Sequence, residues 1–113
     1  MPLTIEERTE SDVTILSPDG RLDAASLQQF SGMIQQVIEQ GAKKLLIDFS
    51  KTEYMSSAGV RAIIEGMNKV QQAKGEMAVC APNEHLQELF DVIRLDQLVK
   101  VYSTEFEALD KML

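Results

Sequence analysis

Between Leu45 and Val60 the pattern of apolar residues changes twice. An apolar run of leucine and isoleucine ends in Asp48-Phe49, residues 50–53 are polar, and apolar residues recur at helical spacing after Ser57. This change predicts a buried strand, a connecting loop and the first turn of a helix. A chain built around such a unit has to place a helix against a sheet.

Apolar blocks of these two kinds alternate along the rest of the chain. Short blocks rich in β-branched residues predict strands, and blocks with an apolar residue every three or four positions predict helices. Four helices are predicted: one after Asp23, one that starts at Ser57, one that opens at Pro82-Asn83, and one that is capped by Ser103 or Thr104. Ser17-Pro18-Asp19-Gly20 predicts a turn. The predicted strands are residues 3–8, 13–16, 43–49, 76–81 and 98–102, with residues 21–23 as a candidate short strand.

The resulting order is β, β, α, β, α, β, α, β, α. Strands and helices that alternate with short connections imply a mostly parallel central sheet of about four or five strands, with about four helices packed against it. The first strand is expected to lie antiparallel at an edge. Because 113 residues fit one domain, we predict a single α/β domain over residues 1–113.

Composition disfavours several classes of function. The chain has a formal net charge of −7 and no basic stripe, which disfavours binding to nucleic acid or to an anionic membrane. Its one cysteine, Cys80, and one histidine, His85, cannot form a zinc site by themselves. The sequence also shows neither a secretion signal nor an apolar run of membrane-spanning length. We therefore expect a cytoplasmic protein that has no metal or other cofactor and is a monomer when free.

Two adjacent hydroxyls, Ser56 and Ser57, stand where the second helix is predicted to start. The first N–H groups of a helix lack intrahelical partners and carry partial positive charge, so a phosphate on Ser57 would be favourably placed. The simpler interpretation is that Ser57 caps the helix, because serine is among the best residues at that position. From the residues alone, both a phosphorylation site and a helix cap stay open.

Two blocks of the sequence resemble the STAS domain family, in particular the stand-alone anti-sigma factor antagonists of bacteria. Tyr54-Met55-Ser56-Ser57-Ala58-Gly59-Val60 is similar to the family's serine loop, and Gly20-Arg21-Leu22-Asp23 is similar to its Gly-x-Leu-Asp segment. The family's phosphorylated serine falls on Ser57. The acidic residue that precedes it in many relatives is replaced by Ser56, which makes Ser56 a second candidate acceptor. The resemblance extends over the whole chain.

The resemblance implies a protein that exchanges partners and catalyses no reaction. Its unphosphorylated form would bind an anti-sigma factor that is also a serine kinase of the GHKL type, and this would free the sigma factor. Phosphorylation of Ser57 would release the kinase, and a metal-dependent serine phosphatase would reset the switch. The implied partner-binding residues are Asp23, Ser56, Ser57, Ala58, Gly59, Val60 and Arg61.

Two other functions stay open beside this one. The chain could be a STAS subunit of an ABC-type transporter or lipid-trafficking complex, or a partner switch that controls a target other than a sigma factor. A hydrolase is disfavoured, because the segment around Ser57 lacks the Gly-x-Ser-x-Gly nucleophile elbow. A receiver domain is disfavoured because the first strand does not end in an acidic pair before a helix.

Overall fold

A mixed sheet of six strands forms the centre of the molecule, in a computed structural model that describes residues 3–113. The strands are β1 (Thr4–Glu10), β2 (Val13–Leu22), β3 (Lys44–Asp48), β4 (Thr52–Met55), β5 (Glu76–Cys80) and β6 (Lys100–Tyr102). They lie in the order β1-β2-β3-β5-β6, and β4 pairs with β2. The β1–β2 pair is antiparallel and the other pairs are parallel. The predicted fold class is confirmed, with one strand more than the upper estimate.

Four α-helices pack on both faces of the sheet: three of them connect strands, and the fourth follows the last strand. They are α1 (Leu27–Glu39), α2 (Ser57–Gln72), α3 (Glu84–Ile93) and α4 (Glu105–Met112), and a short 3-10 helix, Leu95–Gln97, follows α3. The number of helices agrees with the prediction.

The sheet is buried on both faces, which explains the continuous apolar run in β3. Leu45 and Ile47 belong to the core that α1, α2 and α3 share with the sheet, while Leu46 belongs to a second core under α4. A strand that is covered on both sides needs apolar residues at successive positions, so it shows no clean alternation. The second core consists of Val13, Ile15, Leu46, Ala78, Cys80, Ala108 and Met112.

Two predictions about the strands are wrong in extent. β2 continues through Ser17-Pro18-Asp19-Gly20, which the sequence predicts as a turn, and the polar residues after β3 include the start of β4. The pairing of β2 with β3 ends at Leu16, and its pairing with β4 begins at Gly20. Pro18 lies between these two pairings, where its missing N–H removes no hydrogen bond to a parallel neighbour.

The first helix begins later than predicted. Its N-cap residue is Ser26, three residues beyond the predicted cap at Asp23. Gly41 follows the end of this helix with a φ of 96° and donates its N–H to the carbonyl of Ile38. Glycine is favoured at such a position because it has no Cβ to clash in the left-handed region.

Across residues 3–113, no helix is both long enough and apolar enough to cross a lipid bilayer. The same residues contain no group of three or more His, Cys, Asp or Glu side chains placed to hold a metal ion.

Candidate partner-binding site around Ser57

The end of β2 and the start of α2 meet at one edge of the sheet. Arg21 and Leu22 of β2 pair with Tyr54 and Met55 of β4, and the N–H of Ser56 donates to the carbonyl of Leu22 at 2.9 Å. The Gly-x-Leu-Asp segment and the serine loop are distant in sequence, and the β2–β4 pairing brings them side by side. The structure therefore joins the two blocks that carry the family resemblance into one surface.

The two serines occupy different environments in this surface. Ser56 is the N-cap residue of α2, with φ −88° and ψ 172°, but its side chain makes no capping hydrogen bond. Its Oγ is buried and has no hydrogen-bond partner within residues 3–113. Ser57 is the first residue of α2 and is exposed. Ser56, and not Ser57, is therefore the cap position, and only Ser57 presents an accessible hydroxyl.

The residues after Ser57 divide into surface and interior. Arg61 is exposed and Ala58 is partly exposed, as expected for a binding surface. Gly59 and Val60 are buried, so the expectation that they lie at the surface is wrong. They face the core because α2 turns its apolar stripe towards the sheet, with Val60 only 5% exposed.

Gly59 allows α2 to start close to the end of β2. A Cβ at this position would lie 3.3 Å from the carbonyl oxygen of Leu22 and 2.7 Å from Cγ of Met55. Both neighbours are buried, and a Cβ contact of 2.7 Å would force one of them to move. The absence of a side chain at Gly59 thus lets the start of α2, with the serine loop, lie close to the end of β2.

Asp23 orders the turn that leads from β2 into α1. Its Oδ1 accepts hydrogen bonds from the N–H groups of Ala25 at 3.1 Å and Ser26 at 3.3 Å. Ser26 returns the contact, because its Oγ accepts from the N–H of Asp23 at 3.1 Å and donates to the carbonyl of Arg21 at 2.7 Å. Asp23 therefore caps a turn instead of the helix itself, and its half-buried carboxylate is held at the edge of the site.

Arg21 and His85 belong to the same edge, although sequence reasoning did not select them as site residues. Cζ of Arg21 lies 4.2 Å from the centre of the Tyr54 ring, and the His85 ring stacks on Tyr54 with centres 5.1 Å apart and planes 10° apart. No sequence signal could have found this group, because its members come from β2, β4 and α3, and β4 itself was not predicted.

Asn83 fastens α3 to β4 beside this group. Its Nδ2 donates to the carbonyls of Thr52 and Glu53, each at 3.2 Å. Its Oδ1 accepts from the N–H of Leu86 at 2.9 Å and so caps α3. This confirms the prediction that Pro82-Asn83 opens the third helix, and it fixes the start of α3 against the strand that leads to Ser57.

A second polar cluster joins β1, the end of β3 and the start of α4. Arg8 of β1 pairs with Glu105 of α4 and lies 3.9 Å from Oδ2 of Asp48. The hydrogen bond that Arg8 donates to Glu105 is the main cause of a raised pKa for the Arg8 guanidinium. Burial, followed by the negative charge of Asp48, raises the pKa of the Cys80 thiol. The thiol therefore stays protonated in the folded protein and is not a nucleophile.

The comparisons with known proteins agree with this geometry. The STAS domain family matches residues 4–108. The anti-sigma F factor antagonist of Paenibacillus polymyxa is 26% identical over 113 residues, which cover 99% of this chain and 97% of the relative.

Two solved structures show the same fold. An anti-sigma factor antagonist from Mycobacterium paratuberculosis superposes with a TM-score of 0.90 at 22% identity, over 97% of this chain and 93% of its own. The phosphorylated form of the Bacillus cell fate determinant SpoIIAA superposes with a TM-score of 0.74 at 22% identity, over 98% and 99% of the two chains. With the family match spanning nearly its whole length, this chain belongs to the STAS domain family.

Proposed function

We propose that this protein is an anti-sigma factor antagonist that acts as a phosphorylation-controlled partner switch. Its unphosphorylated form binds an anti-sigma factor that is also a GHKL-type serine kinase, and the sigma factor is released. The kinase phosphorylates Ser57 and dissociates, and a metal-dependent serine phosphatase removes the phosphate. The names of the similar proteins support the antagonist part of this proposal, since the P. polymyxa relative is called an anti-sigma F factor antagonist.

The observation that carries the proposal is the contrast between the two serines. The Ser57 side chain is exposed at the first position of α2, whereas Oγ of Ser56 is buried. A kinase has to bring the acceptor hydroxyl into its own active site, so accessibility favours Ser57. The second candidate acceptor, Ser56, would have to leave its packed position before it could react.

A phosphate on Ser57 would be compatible with the folded protein. The first turn of α2 contains no acidic residue, and the helix N-terminus favours negative charge. Arg61 lies four residues further along the helix and is exposed, so it is on the same side of α2 as Ser57. Phosphorylation is therefore expected to change the surface without disrupting the fold.

The same phosphate would be costly inside an interface. It adds roughly −1.5 to −2 charges at pH 7. A charge that is buried without a partner loses its hydration, which costs several kcal/mol and is enough to weaken binding by orders of magnitude. A neutral Ser57 in the interface and a charged Ser57 outside it would thus correspond to the two states of the switch.

The proposal is tested with the purified GHKL-type anti-sigma factor kinases of the source organism. Isothermal titration in the presence of ADP measures their affinity for wild type, Ser57→Ala and Ser57→Asp. We expect Ser57→Ala to bind as wild type does, and Ser57→Asp to bind at least about tenfold more weakly. With ATP, mass spectrometry should find one phosphate on Ser57 of the wild type, and Ser57→Ala should stay bound.

Ser11→Asp is the matched control, because Ser11 is also exposed but lies in the β1–β2 turn, at the other end of β2. This variant adds the same charge and should bind normally. Equal affinity of Ser57→Asp and wild type would contradict the charge-based switch. A phosphate on Ser56 would move the acceptor by one residue, and capture of an ABC-type ATPase in place of a kinase would favour the transporter-subunit function.

A further inference from the structure

We infer that Arg21, Tyr54 and His85, here called the Tyr54 cluster, form a recognition element that receives a carboxylate of the partner protein. The inference rests on the proposed function, because it assumes that the surface around Ser57 binds the anti-sigma factor kinase. It adds the chemistry by which that surface selects its partner.

The cluster is assembled beside the acceptor serine. Tyr54 lies three residues before Ser57 on the strand that leads into α2, and Arg21 is its partner residue across the β2–β4 pairing. Arg21 places its guanidinium 4.2 Å from the centre of the Tyr54 ring, a distance at which a cation is attracted to the ring face. A partner that covers Ser57 would reach Arg21 in the same contact.

The guanidinium of Arg21 is held in place, and only its Nε contacts a carboxylate within residues 3–113. The side chain is 51% exposed, and its one ionic contact within residues 3–113 joins Nε to Oδ2 of Asp23 at 4.0 Å, the limit for an ion pair. Its terminal nitrogens pair with no carboxylate in that part of the chain. They are therefore available to an external acceptor.

A carboxylate is the acceptor that this geometry favours. A guanidinium presents a planar pair of donors that matches the two oxygens of a carboxylate. Stacking on Tyr54 orders the group before binding, so less conformational entropy is lost when the partner arrives. The chain has 18 acidic and 11 basic residues. An ordered and exposed cation therefore distinguishes the proposed interface from the rest of a mainly acidic protein.

A purely structural role does not account for the cluster. The attachment of α3 to β4 is already provided by the hydrogen bonds of Asn83 to Thr52 and Glu53, and the cap of α3 by its bond from Leu86. None of the hydrogen bonds by which the Asn83 side chain holds the start of α3 involves Arg21. Tyrosine and arginine are also the residue types that contribute most often to the energetic centre of an interface.

The test measures the affinity of the same purified kinase for Arg21→Gln and Arg21→Lys by isothermal titration at several salt concentrations. Arg21→Gln should bind at least about tenfold more weakly, and Arg21→Lys should recover only part of the loss because an ammonium has no planar pair of donors. The affinity of Arg21→Gln should also fall less steeply with salt than that of wild type. Lys100→Gln, at the start of β6, removes the same charge elsewhere and should behave as wild type.

Thermal unfolding of each variant separates binding from folding, and unchanged midpoints are expected because Arg21 is half exposed. If Arg21→Gln binds as tightly as wild type while Ser57→Asp does not, the inference is wrong and the proposed function stands. A weaker Arg21→Gln with an unchanged salt dependence would also overturn it, because a lost ion pair has to reduce that dependence. If wild type binds none of the kinases, both the proposed function and this inference fail.

Discussion

Ser56 and Ser57 show how one chemical group takes on different roles at neighbouring positions. Both are serines at a helix start, and the sequence alone predicted Ser57 as a cap or an acceptor, which puts the cap one residue too late. The structure places Ser56 at the N-cap with its Oγ turned into the interior, and Ser57 on the surface. The difference depends on where the last residue of β4 lies, and a helix boundary cannot be located to one residue from local pattern.

The environment of Ser56 predicts an unusual response to mutation. Ser56→Ala should change the free energy of unfolding by no more than about 0.5 kcal/mol, because no hydrogen bond is lost and an unpaired buried hydroxyl is removed. Thr104→Ala is the matched control: Oγ1 of Thr104 accepts from the N–H of Glu107 at 3.0 Å. Loss of that cap should cost about 1 kcal/mol. Urea unfolding compares the two, and equal losses would show that Ser56 does cap its helix in solution.

Among the secondary-structure elements, the sequence predicted all four α-helices but missed the strand β4. The helices carry long apolar patterns, such as Val60, Ile63 and Val70 in α2, and only a helix can bury such a pattern on one side. β4 has four residues, and its pairing with β2 depends on β2 continuing past Pro18. That continuation is a tertiary effect. The Tyr54 cluster was missed for the same reason, since it exists only when β4 lies beside β2.

Alanine at Gly59 and at Gly32 should have opposite effects on the free energy of unfolding, because α2 approaches β2 closely at Gly59 and the space around Gly32 is open. Gly59→Ala should destabilise the protein by about 1–3 kcal/mol, because the new methyl group overlaps buried Met55 and approaches the Leu22 carbonyl. In α1, a Cβ at Gly32 meets no atom within 4 Å. Gly32→Ala should therefore stabilise by about 0.5–1 kcal/mol through helix propensity. Thermal and urea unfolding of both variants measure the signs, and a stable Gly59→Ala would mean that Met55 repacks freely.

For the whole molecule, the two faces of the sheet differ in how they are covered. Three helices share the core of one face, while the buried residues of the other face pack against α4 alone within the described part of the chain. Two side chains tie α4 to the sheet: Arg8 of β1 pairs with Glu105, and Nζ of Lys44 donates to the carbonyl of Met112 at 2.7 Å. The contact of Arg8 joins segments 97 residues apart, and no local pattern in the sequence indicates it. Because a single helix covers this face, we predict that α4 can open separately from the rest of the fold.

Cys80 provides a probe for this opening, because it is fully buried beneath α4 in the second core. Burial raises the pKa of its thiol, so the folded form should not react with iodoacetamide, and labelling should report only open molecules. Arg8→Gln removes one of these contacts, a partly exposed ion pair worth about 0.2–1 kcal/mol, and should speed labelling by a factor of about 1.4 to 5 under native conditions. Mass spectrometry follows the reaction.

Glu6→Gln is the matched control for this experiment, because Oε1 of Glu6 lies 3.4 Å from Nε of Arg8 but Glu6 belongs to β1 and not to α4. Its labelling rate should equal that of wild type. If α4 opens by itself, Arg8→Gln should raise the labelling rate more than the change in its global unfolding free energy accounts for. A labelling rate that follows global unfolding in every variant would instead show that α4 and the sheet unfold together. In that case the two contacts of α4 would stabilise the whole molecule and not one helix.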